Sequence, residues 1–237
     1  MPRTDAPLKI ASYNVHQCVG MDFRRDPSRI AQVLQELDCE VIGLQEVDNQ
    51  PGVHADSMQL DYLAALTGMH AIPGLTLVRH EGHYGNALLT RCEILECRRH
   101  DFSYGRFEPR GAIDALLAAA GQKIRVLVTH LGLTPAERRY QVKRLIGILE
   151  ARGPEDATVL MGDMNEWLPW GRPIQWINTL CGGASPALGS FPAFWPLLAL
   201  DRLWIKPAAR LASLRVHRSP LARKASDHLP LVATVTA

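Results

Sequence analysis

The stretch "VLMGDMNEW", residues 159–167, runs apolar for three residues, turns at a glycine and then sets Asp163 and Asn165 two apart. An apolar run of this kind is the end of a buried strand. If the extended geometry continues, Val159, Met161, Asp163 and Asn165 share one face, so the carboxylate and the amide emerge together where the sheet ends. A buried carboxylate without a partner is strongly disfavoured, so cationic or protic groups belong nearby. The competing reading is a simple turn cap, a common use of Asp and Asn after strands.

Working outward, the same plan occurs twice. "KIRVLVTH" is a strand; Thr134 and Glu137 make a capping-box pattern around Pro135; Val142, Leu145, Ile148 and Leu149 stripe the helix, and "ATVLMGDMN" is the returning strand. Near the N-terminus "LKIASYNV" is a strand, followed by Asp26 as cap, Pro27 at the first helical position and Ile30, Val33, Leu34 and Leu37 at helical spacing, then "EVIGLQEVD". Asn14 to Glu46 spans 46 − 14 = 32 positions and His130 to Asp163 spans 163 − 130 = 33. Two strand-helix-strand units can bury their sheets against each other, which predicts an α/β protein of two similar halves. Four polar residues at strand ends then meet at one rim, where α/β proteins commonly bind ligands.

Composition sets the bounds. With 237 residues, 47% hydrophobic and 21% charged, the chain is long enough for one layered core, and no linker-like stretch divides it, so residues 1–237 are read as a single catalytic domain. The formal net charge of +2 is too small to diagnose nucleic-acid binding. Five scattered cysteines with no close C-x-x-C pair read as reduced thiols of a cytoplasmic protein. "MPRTDAPLKI" has no apolar signal core, and no run is long enough for a transmembrane segment. "FPAFWPLLAL", residues 191–200, is too short to span a bilayer, although peripheral membrane contact stays open.

Further polar groups sit at strand boundaries. "SDHLPLVATV" places Asp227 and His228 before a terminal strand, and "LALDRLWI" places Asp201 inside an apolar run, where a carboxylate needs a buried partner. Oxygen-rich groups on separate strands, with no cysteine among them, suit a hard cation such as Mg²⁺, with Mn²⁺ as the substitute. His130 and His228 add groups that exchange protons near neutral pH.

The ordered series "SYNVH", "LQEVD", "YGNALLTR", "THLG", "GDMN", "LDRLWI" and "SDHLPL" resembles the endonuclease/exonuclease/phosphatase superfamily, the fold of deoxyribonuclease I and of metal-dependent phosphodiesterases. The motifs run from residue 12 to 231. The resemblance implies a four-layered sandwich, two packed mixed or mainly antiparallel sheets flanked by helices. It implies Glu46 as the main Mg²⁺ ligand, Asn14 beside it, and Asp227 able to hold a second ion or its water. Asp163 is implied to orient and deprotonate the attacking water, Asn165 to hold a phosphate oxygen, and His228, fixed by Asp201, to stabilise the developing charge. The chain has "VTHLG" where the apurinic endonuclease branch has a tyrosine-proline-asparagine segment; His130 thus points to the branch of deoxyribonuclease I, sphingomyelinases and inositol-phosphate phosphatases, where the histidine serves as general acid. On that basis the two histidines and Mg²⁺ supply the positive field. Met164 departs from the more usual aromatic residue.

The resulting expectation is a Mg²⁺-dependent phosphoesterase acting on a phosphodiester in a lipid headgroup or other small substrate. The alternatives are a deoxyribonuclease-like nuclease and a non-catalytic phosphate- or lipid-binding module. The substrate class therefore spans lipid, sugar phosphate and nucleic acid. Second-tier candidates are His16, on the Asn14 face if the strand continues, Asn86, read as lying before a strand, and Arg110, a phosphate clamp or a surface ion pair. All five tryptophans fall between residues 167 and 204. Some of them fill the core, while Trp167, Trp170, Phe194 and Trp195 lie in Pro-rich segments that could rest a base, a sugar or a lipid chain, Trp167 and Trp195 being the leading substrate contacts. Arg138, Arg139, Lys143 and Arg144 read as a solvated helix face, and "RVHRSPLARK" as a patch that steers anions.

Overall fold

The computed structural model describes residues 7–52, 56–79, 82–119, 121–151, 153 and 155–236. Its first sheet has six strands. These are β1 (Leu8–Asn14), β2 (Val41–Asn49), β3 (His70–Arg79), β4 (Gly82–Thr90), β10 (Leu211–Val216) and β11 (Leu231–Val235), in the spatial order β10-β11-β1-β2-β4-β3. The second sheet runs in sequence order through β5 (Glu93–Asp101), β6 (Gly111–Ala119), β7 (Gln122–His130), β8 (Ala157–Asp163) and β9 (Asp201–Lys206). Each sheet contains one parallel pair, β1 with β2 and β7 with β8. The crossovers carry α1 (Pro27–Leu37) and α3 (Pro135–Glu150), while α2 (Gln59–Thr67) and α4 (Arg172–Cys181) complete the helical layers.

The predicted caps form. The Asp26 carboxylate accepts from the Arg29 amide ahead of α1, and Thr134 and Glu137 make the reciprocal capping box at α3. Three apolar layers follow from strand alternation. Ile10, Val41, Leu88, Ile113, Val126, Val128, Val159, Met161, Leu203 and Ile205 fill the space between the sheets. Alternate residues such as Ala11, Tyr13 and Leu44 pack outward under α1 and α2, and Leu127, Leu160 and Trp204 under α3 and α4. The result is the four-layered α/β sandwich expected. At Gly43 the sheets approach so closely that a Cβ would meet Met161 Cε at 2.8 Å and Val128 Cγ2 at 2.9 Å.

Alternation also decides where the site lies. Counting inward-facing positions, β1 ends on Asn14, β7 on His130 and β8 on Asp163, while β9 begins on Asp201. All four are buried. The candidate site is therefore the polar end of the intersheet core.

Candidate active site

Two expectations of local geometry are corrected. The strand β8 stops at Asp163, and Asn165 has a left-handed φ of 50°, so it does not reach the rim by continued alternation. Instead Asp163 Oδ1 accepts the Asn165 amide at 2.9 Å, a turn of the kind Asp favours, and that turn brings the Asn165 side chain back to His130. The cap reading thus holds for this pair, and the same turn sets Asn165 against His130. Likewise β1 stops at Asn14; His16 lies in a short 3-10 turn at φ 46°, and its Nδ1 comes within 3.6 Å of Asp227 Oδ1.

Glu46 reaches the rim by a different device from Asp163. In register, Asn14 pairs with Gln45, whereas His130 pairs with Asp163 itself. The β2–β4 register slips between Leu44 and Val47, and Glu46 sits in that bulge at φ 60°. A bulge re-aims a side chain, here one that alternation alone would not place at the rim.

Asn14 joins the two halves. Its Nδ2 donates to Glu46 Oε1 at 2.9 Å and to Asp163 Oδ2 at 3.1 Å, and its Oδ1 accepts the His16 amide at 3.0 Å. Opposite, His228 Nδ1 lies 2.8 Å from Asp201 Oδ2, which also accepts the Ser190 hydroxyl at 2.5 Å. The imidazole Nε2 faces Asp163 Oδ2 at 3.7 Å, and the Phe191 ring lies against it at 4.9 Å between centroids. Ser226 ties these parts together: its hydroxyl donates to Asn14 O at 2.8 Å and accepts the His228 amide at 3.2 Å.

The two histidines are electrostatic opposites, which corrects the expectation that both supply positive field. Burial, helped by the Arg110 guanidinium and the His228 ring and opposed by Asp163, drives His130 down to about 3, so this ring is neutral at pH 7. Burial also disfavours charge on His228, but Asp201 and Asp163, with the Asp201 hydrogen bond and Asp227, outweigh it and raise the group to about 10. His228 is the imidazolium of the site.

Arg110 is buried, yet it makes the ion pair of the alternative reading, with the exposed Glu108. It is 6% exposed, and its Nη1 lies 3.0 Å from His130 Nδ1 and 3.1 Å from Glu108 Oε1. Asn86 lies within β4 rather than before it, donating from Nδ2 to Gly111 O at 3.0 Å. With Thr76, Tyr84, Gly85 and His130, these two residues line a small cleft next to the centre. Arg138 is a further correction: it is buried and pairs with Glu166 at 3.1 Å, while Arg139, Lys143 and Arg144 are exposed as expected. Of the tryptophans, Trp204 is buried with its indole N–H on Asn178 and Trp176 is half-buried in α4, whereas Trp167, Trp170 and Trp195 are 52%, 70% and 64% exposed.

Sequence reading missed Ser190, Phe191, Tyr84 and Ser226. Ser226 had a signal, its place in "SDH"; Ser190 and Phe191 had none, because Ser190 meets Asp201 and Phe191 meets His228 only through the fold.

The donor chemistry fits a divalent cation. Glu46 and Asp163 meet through Asn14, Asp163 and Asp201 flank His228, the internal cation, and Asp201 Oδ1 is buried with no partner among the described residues. Ligand atoms of Asp163, Asp201 and His228 lie within 4.8 Å of one another, a cluster able to coordinate such an ion. It differs from the set implied by resemblance, Asn14, Glu46 and Asp227. Among the described residues, no helix is long and apolar enough to cross a membrane.

Comparison with known proteins agrees with this fold. The chain is 28% identical to the uncharacterized protein YbhP of Escherichia coli K12 over 96% of both chains. Its fold is similar to that of an endonuclease/exonuclease/phosphatase from Beutenbergia cavernae, with a TM-score of 0.77 at 20% identity over 98% of this chain and 72% of that one. It is also similar to D. rerio TDP2, solved in complex with a single-strand DNA product, with a TM-score of 0.68 at 17% identity over 98% and 100% of the two chains. The family profile described as Endonuclease/Exonuclease/phosphatase matches residues 11–228. With that match across nearly the whole chain and an acidic, histidine-containing centre at the open end of its two sheets, the protein belongs to the endonuclease/exonuclease/phosphatase family and is a metal-dependent phosphoric ester hydrolase.

Proposed function

We propose that the protein hydrolyses phosphodiesters of nucleic acid in the presence of Mg²⁺. The observation that carries the reading is the convergence of Asn14, Glu46, His130, Asp163, Asn165 and the Asp201–His228 pair at one rim. The nucleic-acid preference is supported by the likeness to the TDP2 fold with its DNA product and by the exposed Trp167, Trp170 and Trp195, since bases stack on aromatic faces.

Asp163 holds the attacking water and takes its proton. Its Oδ1 accepts the Asn165 amide, and its Oδ2, which accepts from Asn14 Nδ2 at 3.1 Å, faces the Nε2 atoms of His130 and His228 at 3.5 and 3.7 Å. Asn165 and His130 receive a non-bridging phosphoryl oxygen. His228, kept charged by Asp201, stabilises the negative charge that builds during in-line displacement and can pass a proton to the departing oxygen. Ser190 and Phe191 fix the plane of that ring.

For the ion, the outer set of Glu46, Asn14 and Asp227 is the better seat. Mg²⁺ sheds water reluctantly and prefers oxygen, and Glu46 and Asp227 are half-exposed, whereas Asp163, Asp201 and His228 are each at most 5% exposed. The inner cluster already holds a cation, the imidazolium of His228. When bound, Mg²⁺ supplies charge neutralisation to the phosphate oxygens.

A second reading, a lipid phosphodiester, rests on Leu133, Phe194 and Leu197, which are 71%, 62% and 71% exposed. Leu133 follows His130 by three residues. Phe194 and Leu197 lie on a loop anchored by the Ala193 amide to Asp227 O at 2.7 Å. We also place the protein in the cytoplasm, in keeping with five free thiols.

The test is nicking of supercoiled plasmid and digestion of single-stranded oligonucleotides with Mg²⁺, alongside EDTA and His228→Ala controls. Cleavage lost in both controls is expected. Intact DNA together with hydrolysis of phospholipid vesicles would replace the nucleic-acid reading by the lipid one.

A further inference from the structure

His130 is surrounded by donors. Arg110 Nη1 lies 3.0 Å from its Nδ1, and Asn165 Nδ2 lies 3.0 Å from its Nε2. A guanidinium only donates, so Nδ1 must be the accepting nitrogen, and a proton there would face an N–H. The ring's one proton is therefore on Nε2. The Asn165 amide cannot simply turn to receive it, because its Nδ2 also donates to Leu131 O at 2.9 Å and a turned amide would set two carbonyl oxygens against each other. Between a charged and a neutral donor competing for the ring, the charge-assisted bond is the stronger. What remains is Nε2–H and Nδ2–H side by side, 3.0 Å apart, with Asp163 Oδ2 at 3.5 Å from Nε2, beyond a good hydrogen bond.

Two donors in that relation become favourable when one oxygen accepts from both. We propose that Arg110 is a positioning residue that locks His130 as the Nε2–H tautomer, so that His130 and Asn165 form a two-pronged donor for a single phosphoryl oxygen. The inference deepens the phosphodiesterase reading and rests on it for the identity of that oxygen.

Arg110 is built to hold its place. It bonds to Glu108 on one side and to the Tyr84 hydroxyl on another. The strand start behind it is pinned where Asn86 Nδ2 and Thr129 Oγ1 both donate to Gly111 O at 3.0 Å. The placement gives His130 the character of an oxyanion donor, with no proton transfer asked of it.

The experiment reads the tautomer directly. Long-range ¹H–¹⁵N spectra of metal-free protein at pH 7, with His130 assigned through His130→Gln, are expected to show an unprotonated Nδ1 and a protonated Nε2. Arg110→Met should lose that pattern and Arg110→Lys, which keeps a donor, should retain it. With bis(p-nitrophenyl) phosphate and Mg²⁺, Arg110→Met is expected to lower kcat by about 100-fold with KM little changed, as for loss of one oxyanion donor, and Arg110→Lys to recover most of it. A proton on Nδ1 in the wild type, a tautomer unmoved in Arg110→Met, or a kcat unmoved despite a changed tautomer would each overturn the proposal. The wild-type spectrum needs no variant to fold. A wild type that hydrolyses no phosphodiester would sink the phosphodiesterase reading, whereas the tautomer result decides the Arg110 assignment regardless.

Discussion

The two strand-helix-strand units of this chain share a plan and differ in what they do with its polar end. In the second unit His130 and Asp163 are register partners at the ends of parallel strands, and both are buried. In the first, Asn14 pairs with Gln45, and the carboxylate is moved one residue on, to the bulged and half-exposed Glu46. A buried end makes hydrogen bonds whose strength depends on excluded water, which suits proton handling and oxygen recognition. A half-exposed carboxylate can accept a hydrated cation without stripping it. On the proposed assignment, burying the two rims of a repeated plan unequally separates reaction chemistry from ion binding.

The contrast can be broken most sharply at the two carboxylates. Asp163→Asn should lower kcat by about 1,000-fold or more in single-turnover assays, the range for loss of a general base, while leaving the Mg²⁺ concentration for half-activity nearly unchanged. Glycines on the two returning strands test the backbone side of the same difference. Gly162 has φ 148°, and a Cβ there would lie 1.8 Å from Thr129 O, whereas a Cβ at Gly43 meets only side-chain methyls. Gly162→Ala is expected to destabilise by about 3 kcal/mol or to prevent folding, and Gly43→Ala by about 1–2 kcal/mol, read from urea unfolding.

Glu46→Gln should raise the Mg²⁺ concentration for half-activity by about 10- to 100-fold and leave the rate at saturating Mg²⁺ much closer to wild type. If instead it removes activity that no Mg²⁺ concentration restores, the division between the units fails. A pH series sharpens the electrostatic half of the comparison. His228 is raised in the folded state to about 10, so its contribution to stability is fully present below its unfolded value of about 6.5 and is lost as pH climbs from there through about 10. In metal-free protein, stability should fall over that window, and His228→Gln should flatten the fall; an unchanged slope would mean the ring is not charged in the fold. The smallest expected effect is at the rim: Trp195→Ala should raise KM for a single-stranded oligonucleotide by about 10-fold with kcat maintained, consistent with loss of one stacking contact.

Much of this was legible beforehand because it is local or periodic. The caps at Asp26 and Thr134 depend on residues three apart, and the inward faces of β1, β7 and β8 follow from period-two alternation, which already sends Asn14, His130 and Asp163 to one end of the core. Arg138 was misread because a basic helix position looks solvated until Glu166 is folded against it. The state of His130 was not legible because its ring is held neutral first by burial and then by Arg110, 20 positions away in sequence, and both are set by the fold.

The amino-acid order by itself determined that there are two strand-helix-strand units, that their strands end in carboxylate, amide and imidazole groups, and that these groups suit a hard cation and a phosphate, since propensity, alternation and donor type are properties of neighbouring residues. Only the tertiary structure decided which histidine carries charge, how Glu46 and Asn165 are swung back to the rim, and that Arg110, Ser190 and Ser226 contact the centre. Burial and hydrogen-bond geometry are set by contacts between distant segments, and at this rim they sort otherwise similar polar groups into different states.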